Sequence, residues 1–415
     1  MSLKQITLNT TIQIAGRLVS SGLSFAVTLI LARILGANFF GEYIKISAFV
    51  TLFYLGVDFG LNLIFLKTAA RSDLVKLPQF LGLRLGLGLV LAVLAVVGIY
   101  ILSLVNPGFT VVMRSGVVIG SLAIIMYAFW LSLGAVFQLR LRFDQAALAE
   151  VVGAGVVLIL VVGFAAFFLQ PIQGVLLATW LLVLDLGISV VVGQVFLKLP
   201  RRNWWPQIDW QLWRKWFGES WPLGATLILN VIYFRIDTLI LTAYRSSGEV
   251  GAYGLAYKFF ELLLILPTFA MNSIYPLWLK RQTYDRKFWQ QLKLLFGGLL
   301  LLSIIGGGVG WGLAPLVVYL KSDYVSSVGF LRLLLLSLPI FYLTSPLMWL
   351  FVLLNAQRQL LVVYGSATVL NVAANLWLIP QSGAAASAII TGITELWVLI
   401  WAYLKFKKLT YAKLS

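Results

Sequence analysis

Hydrophobic positions along this chain do not alternate with polar ones at a helical or a strand period. They come in long unbroken runs, separated by short polar clusters. The runs fall at 9–32, 42–66, 80–104, 110–136, 146–169, 175–197, 219–243, 252–277, 291–312, 326–353, 360–379 and 384–404. Each is close to or beyond the ~20 residues that an α-helix needs to cross a hydrocarbon layer. A helix apolar on every side belongs in lipid or deep in a bundle, so the pattern predicts an all-α integral membrane protein of about twelve spans. Helix breakers punctuate it at Asn106-Pro107-Gly108, Gln170-Pro171, Ser246-Ser247-Gly248 and Pro380-Gln381-Ser382-Gly383. The stretch 32–43 (Ala32 to Tyr43) reads as a tight connection between the first two spans.

Composition sharpens this picture. Of 415 residues, 61% are hydrophobic and 11% charged, against about 25% charged in a soluble domain, and the mean hydropathy is +0.97. The first run is too long for a signal peptide and reads as a retained span. Cysteine and histidine are both absent, which removes disulfides, thiolate metal sites, the commonest metal ligand and the easiest proton relay. No cofactor is expected.

The net charge of +17 would suggest nucleic acid in a soluble protein. Its placement says otherwise. With twelve alternating spans, one side collects nearly all the loop cations, among them Lys67, Lys76, Arg140, Arg142, Lys198, Arg201, Arg202, Lys280, Arg281, Arg286, Lys287, Lys293, Lys405, Lys407 and Lys408. The other collects Arg33, Arg245 and Lys321. Cytoplasmic loops hold the excess of Lys and Arg, so both termini are expected in the cytoplasm, and anionic lipid accounts for the basic charge without nucleic acid.

The longest polar segment, 198–220, contains Trp204, Trp205, Trp210, Trp213 and Trp216. It reads either as a short interfacial helix between two halves or as an aromatic extension of span seven. The domain expectation is an N-terminal six-helix lobe (1–200), a Trp-rich cytoplasmic linker (201–218) and a C-terminal six-helix lobe (219–415). The halves echo each other: Gly41-Glu42-Tyr43 opens span two and Gly251-Ala252-Tyr253 opens span eight. Internal repeats of this kind are frequent in secondary transporters.

Charges deep inside spans are costly and point to function. Arg17 and Arg235 sit within the first span of each half. The deep carboxylates are Asp58, Asp185, Asp237 and Glu395. Arginine suits a phosphate-bearing ligand because its planar fork binds phosphate oxygens in pairs and stays charged. Carboxylates suit ion coupling or a structural ion pair. Asn62, Asn230, Asn371 and Asn375 are intramembrane amides, read first as helix-packing groups, with Asn230 also a candidate sugar contact. Arg84, Arg114 and Arg332 lie within two turns of span ends and are expected to snorkel to the headgroups. Lys45 with Glu42, and Lys258 with Glu261, are three-apart pairs.

The ordered set Leu31-Ala-Arg33-Ile-Leu-Gly36, Gly41-Glu-Tyr43, Asp58-Phe-Gly60, then Asp237-Thr-Leu-Ile-Leu, Gly248-Glu-Val-Gly251-Ala-Tyr253, Ala256-Tyr257-Lys258 and Tyr275-Pro276 resembles Wzx-type O-antigen and polysaccharide flippases of the multidrug/oligosaccharidyl-lipid/polysaccharide (MOP) exporter superfamily. The resemblance covers spans one, two, seven and eight. It implies two six-helix lobes around a central cavity. It implies alternating-access transfer of an undecaprenyl-pyrophosphate-linked oligosaccharide to the outer leaflet of the bacterial inner membrane. It also implies a polysaccharide polymerase and chain-length machinery as partners. The related lipid II flippases place arginines in the first helix of each lobe, where Arg17 and Arg235 stand here, and carry two further helices that this chain lacks.

Two other readings are open. A multidrug or cation antiporter of the same superfamily would want acidic residues in its cavity, whereas the deep charges here are mixed. A membrane glycosyltransferase or polymerase would need catalytic groups on sizeable outer loops. The longest outer connection, 313–325, carries only Lys321 and Asp323.

Overall fold

In a computed structural model the chain is described over residues 3–164, 171–279, 286–354 and 356–414. Gln170 and the Lys280-Arg281 pair lie outside these residues. Every long element is α-helical: α1 (Leu3–Asp58), α2 (Leu61–Ser72), α3 (Leu77–Val105), α4 (Val111–Leu139), α5 (Phe143–Phe164), α6 (Pro171–Leu197), α7 (Trp210–Tyr244), α8 (Ser247–Leu279), α9 (Arg286–Leu313), α10 (Val325–Leu353) and α11 (Gln357–Leu414). Among the described residues ten stretches are long and apolar enough to span a membrane. Two of these, 15–69 and 359–408, run to 55 and 50 residues. At about 1.5 Å per residue each is more than twice the ~30 Å of a hydrocarbon core.

Both double-length stretches are broken at a glycine. Gly36 (φ 72°, ψ 170°) interrupts α1 and Gly383 (φ 62°, ψ −146°) interrupts α11. That backbone region is open essentially to glycine alone. The connections expected at 32–43 and 380–383 are therefore single-residue breaks between helical arms. Side-chain hydrogen bonds show the reversal at Gly383. Ser387 Oγ donates to Asn375 Oδ1 (3.3 Å), Asn371 Nδ2 to Thr394 Oγ1 (3.3 Å), and Trp397 Nε1 to Ser366 Oγ (3.1 Å). Partners step away from the glycine in opposite directions, so the arms are antiparallel. Counting arms separately, the ten stretches give twelve segments long and apolar enough to cross a membrane. We expect Gly383→Ala to destabilise the protein by roughly 1–3 kcal/mol, read as a lower midpoint of thermal unfolding followed by tryptophan fluorescence.

The chain divides into two compact units, Met1–Gly248 and Glu249–Ser415. In the first, the core gathers Phe65, Phe80, Trp130, Phe137 and Trp216, with Phe65 stacked on Phe80 at 4.2 Å. In the second, Met271, Trp278, Phe288, Phe351 and Ala402 form the core. Large apolar side chains also cover the outside. Leu89, Val90, Val93, Leu94 and Val97 of α3 are all about half exposed or more. A soluble protein does not leave such a face uncovered, whereas lipid does not penalise it.

One side of the Trp-rich segment packs inward, with Trp216 buried, while Trp205 and Trp210 stay exposed. Asp209 caps α7 by accepting from Leu212 N–H (3.0 Å), and α7 then runs unbroken from Trp210 through the apolar stretch 223–244. Of the two sequence readings, extension of span seven is the one realised. Trp213 Nε1 donates to Gln79 O (2.9 Å), Gln207 N–H donates to Pro78 O (3.0 Å), and Trp216 packs edge-on against Phe80. This aromatic segment therefore covers the start of α3.

Candidate functional site

Polar side chains inside the first unit gather in one charged neighbourhood. It begins where the second arm of α1 stops. The apolar pattern predicted an unbroken span over 42–66, but the helix ends at Asp58. Phe59 (φ 40°) and Gly60 (φ 71°) then carry the chain to α2 in left-handed conformations. Phe59 is buried and stacks on Phe217 of α7 at 4.4 Å. A Cβ on Gly60 would meet Leu223 at 2.9 Å, and one on Gly224 would meet Phe59 at 2.7 Å. The break is thus wedged against α7 and places a carboxylate at an interrupted intramembrane helix, an arrangement tolerated only where protein or a cavity satisfies the backbone.

Arg84 of α3 answers that carboxylate. It is fully buried. Its Nη2 lies 3.3 Å from Asp58 Oδ1, its Nη1 donates to Asn62 Oδ1 at 2.9 Å, and its guanidinium carbon sits 4.6 Å from the centre of the Phe80 ring. Its Nε is buried with no hydrogen-bond partner. The expectation that Arg84 snorkels to a headgroup is overturned: the Gln207–Trp216 segment closes over the start of α3 and removes the route to water. Arg114 and Arg332 lie beside rings, 5.7 Å from Tyr100 and 5.2 Å from Trp311.

Further charged and aromatic groups lie within electrostatic range of Asp58 and Arg84, and the buried Tyr54 hydroxyl among them has no hydrogen-bond partner. Tyr127 of α4 feels the charges of Asp58, Arg84 and Glu150, and stacks on Tyr54 at 4.3 Å. Glu150 of α5 lies near Trp130 and in electrostatic reach of Arg17 and of Asp185 on α6. Asp185 in turn reaches Tyr43 and Tyr54. The helices approach closely here, since a Cβ on Gly153 would lie 2.7 Å from Asp185 Oδ1 and 2.5 Å from Ser189 Oγ. Arg17 stands about five turns before Gly36 and Asp58 about six turns after it. Both border the same Glu150–Tyr127 neighbourhood, so α1 doubles back at Gly36.

Of the residues singled out from sequence, Arg17, Asp58 and Asp185 therefore lie in one charged neighbourhood of the first unit. Arg17 is solvent- or lipid-exposed, while Asp58 and Asp185 are half-buried. Asn230, Arg235 and Asp237 lie on α7. Asn230 and Arg235 are half-buried and Asp237 is buried, with its Oδ1 accepting from the Thr238 N–H at 2.6 Å. Glu395, buried in the second unit, follows Thr394 in the antiparallel seam and reaches Tyr364. Sequence reasoning placed Arg84 at the headgroups and did not single out Glu150. The signal for both was a charge within an otherwise apolar run.

Two guanidiniums and three carboxylates shared among packed helices suit charge exchange or ion-linked movement more than bond chemistry. No group of three or more acidic side chains able to hold a metal occurs among the described residues.

These helices take the fold of MOP-type membrane transporters. A lipid II flippase, MurJ, in an inward closed conformation superposes with a TM-score of 0.74 at 14% identity, over 96% of this chain and 87% of that one. An inward-facing multidrug resistance MATE family transporter of the MOP superfamily gives 0.67 at 13% identity, over 99% and 96%. A Vibrio cholerae MATE transporter gives 0.64 at 16% identity, over 99% and 97%. No curated protein sequence matches the chain. A family model described as "Polysaccharide biosynthesis protein" matches residues 6–281. The chain belongs to that family and is a multi-pass membrane protein.

Proposed function

We propose that this protein carries a polyprenyl-pyrophosphate-linked oligosaccharide, the repeat unit of a surface polysaccharide, from the inner to the outer leaflet of a bacterial inner membrane by alternating access. The observation that carries this reading is the polysaccharide-biosynthesis family match over 6–281, supported by a fold shared with a lipid II flippase. In this reading the protein alternates between states open to one side of the membrane and to the other. Arg17 and Arg235 hold the pyrophosphate, because a paired guanidinium fork fits phosphate oxygens and cannot lose its charge, and Asn230 contacts sugar hydroxyls. Asp58, Asp185, Asp237 and Glu395 serve coupling or charge pairing. A polysaccharide polymerase and chain-length machinery would take the product onward.

One observation favours a second reading, a cation exporter of the same superfamily. The first-unit neighbourhood holds three carboxylates, Asp58, Glu150 and Asp185, against the guanidiniums of Arg17 and Arg84, and an acidic surplus attracts cations. Under the flippase reading the same surplus takes up a coupling proton or sodium ion.

Reconstitution in liposomes separates the two. Wild type should move a lipid-pyrophosphate oligosaccharide between leaflets, and Arg17→Ala or Arg235→Ala should slow it by about tenfold or more, the loss expected when a charge-assisted bidentate contact is removed. Transfer unaffected by either substitution would keep the flippase and reassign both arginines to structure. No transfer of any glycan, with cation-driven uptake of a cationic dye in its place, would establish the exporter.

A further inference from the structure

The second unit contains a cavity of about 520 Å³ between α9, α10 and the last arm of α11. Its walls are apolar, built from Leu292, Phe296, Leu343, Leu347, Leu399 and Ile400, with Lys293 at its edge. Nothing in the transport reading uses it. Two features of the page identify its occupant. One is size: at roughly 30 Å³ for a water-sized group, the space of about 520 Å³ holds about seventeen such groups, the scale of one fatty-acyl chain. The other is charge. Trp289 at the start of α9 faces Phe406 near the end of α11, with ring centres 6.3 Å apart, so these ends lie together. Arg286, Lys287 and Lys293 on one and Lys405, Lys407 and Lys408 on the other gather there. Neither α9 nor residues 396–414 contain a single Asp or Glu.

Lys293 also marks a depth. No charge follows it through Leu313, and none occupies 396–404, so the groove runs from a cationic rim into hydrocarbon. Lys405 rests 6.0 Å above the Trp401 ring, an aromatic–cation pairing suited to the headgroup layer. We propose that this groove binds one anionic phospholipid of the surrounding bilayer, with an acyl chain in the cavity and the phosphate at Lys293 and the neighbouring basic rim.

The test uses the full-length protein in mild detergent, with a diazirine-tagged phosphatidylglycerol and a phosphatidylcholine of the same chains as probes. Native mass spectrometry counts bound lipid, and peptide mapping locates the crosslink. The anionic probe should bind better and crosslink within 289–296 or 399–406. Lys293→Glu should cut its binding by about tenfold, since each interfacial cation contributes about that order of attraction, and Lys293→Arg should preserve it. Ile400→Trp, which fills a partly exposed wall, should abolish crosslinking of both lipids while gel filtration and melting stay those of wild type. Equal binding of both lipids, insensitive to Lys293→Glu and Ile400→Trp, would overturn the proposal. So would stoichiometric displacement of phosphatidylglycerol by a polyprenyl phosphate, which would make the groove a cargo-tail site.

Discussion

Arg84→Ala should cost about 3–5 kcal/mol of stability, the range for removing one partner of a buried ion pair and leaving its counterpart uncompensated. It should also reduce transport well beyond what the loss of folded protein explains. The ground is geometric. Arg84 is fully buried, touches Asp58 and Asn62 through separate nitrogens, and lies over Phe80. Without it Asp58 ends a broken helix with no cation beside it. Arg84→Lys keeps a charge but loses the two-pronged reach, and should fall between wild type and alanine. Asp58→Asn added to Arg84→Ala should recover part of the loss, because the stranded charge disappears with it. Thermal unfolding of purified protein, followed by tryptophan fluorescence, together with leaflet transfer in liposomes, reads both effects. A wild-type melting midpoint in Arg84→Ala would show the pair to be dispensable.

A buried ion pair is rarely the most stable way to fill its volume, since well-packed apolar residues often do as well or better. The Asp58–Arg84 pair is therefore a weak stability device as a whole, although removing one partner alone is costly. The break at Phe59-Gly60 is a helix interruption beside the charge, wedged against α7 by Phe217, Leu223 and Gly224.

How much of this was legible in the sequence depended on range. The spans were legible because lipid imposes an apolar run on every crossing helix, and Gly36 and Gly383 were found within the stretches marked as connections. The role of Arg84 was not legible. Its distance from the end of a span suggested access to headgroups, but burial depends on what covers that end. The cover comes from Gln207, Trp213 and Trp216, more than a hundred residues away. The same contact resolves the Trp-rich segment, whose aromatic density suits an interface and a core equally well until partners are known. The end of the helix at Asp58 was hidden for a related reason. Phe59 is as apolar as its neighbours, so hydropathy runs straight through a position where the backbone turns left-handed. Asp58 and Arg17 were recognised as charges out of place, but Glu150, which lies within electrostatic reach of Arg17, was not singled out.

Two oppositely charged pairs with the same spacing in sequence separate sharply in the structure, and this gives the second large prediction. Glu42–Lys45 and Lys258–Glu261 are both oppositely charged residues three apart, at 3.1 and 2.9 Å. Lys258 and Glu261 are about one-third exposed, where such a pair contributes about 0.2–0.5 kcal/mol. Glu42 and Lys45 are buried and tie three segments together. Lys45 Nζ also donates to Ser247 Oγ (2.8 Å) and Gly108 O (3.3 Å), and Glu42 accepts from the hydroxyls of Thr110 and Ser247. Thr110 in turn caps α4 through Met113 N–H (3.1 Å), and Asn106 Nδ2 donates to Ala243 O (3.0 Å). Lys45→Met should therefore strand Glu42, loosen the α3–α4 loop from the end of α7, and cost about 3–5 kcal/mol. Glu42→Gln keeps most of the hydrogen bonds and should cost less, about 1–3 kcal/mol. Lys258→Ala should leave the melting midpoint within about 1 kcal/mol of wild type. Equal shifts for Lys45→Met and Lys258→Ala would mean that burial and the extra partners add nothing to the pair. The expected order, Lys45→Met largest and Lys258→Ala smallest, would identify this polar knot as the fastening that holds one end of the first unit closed.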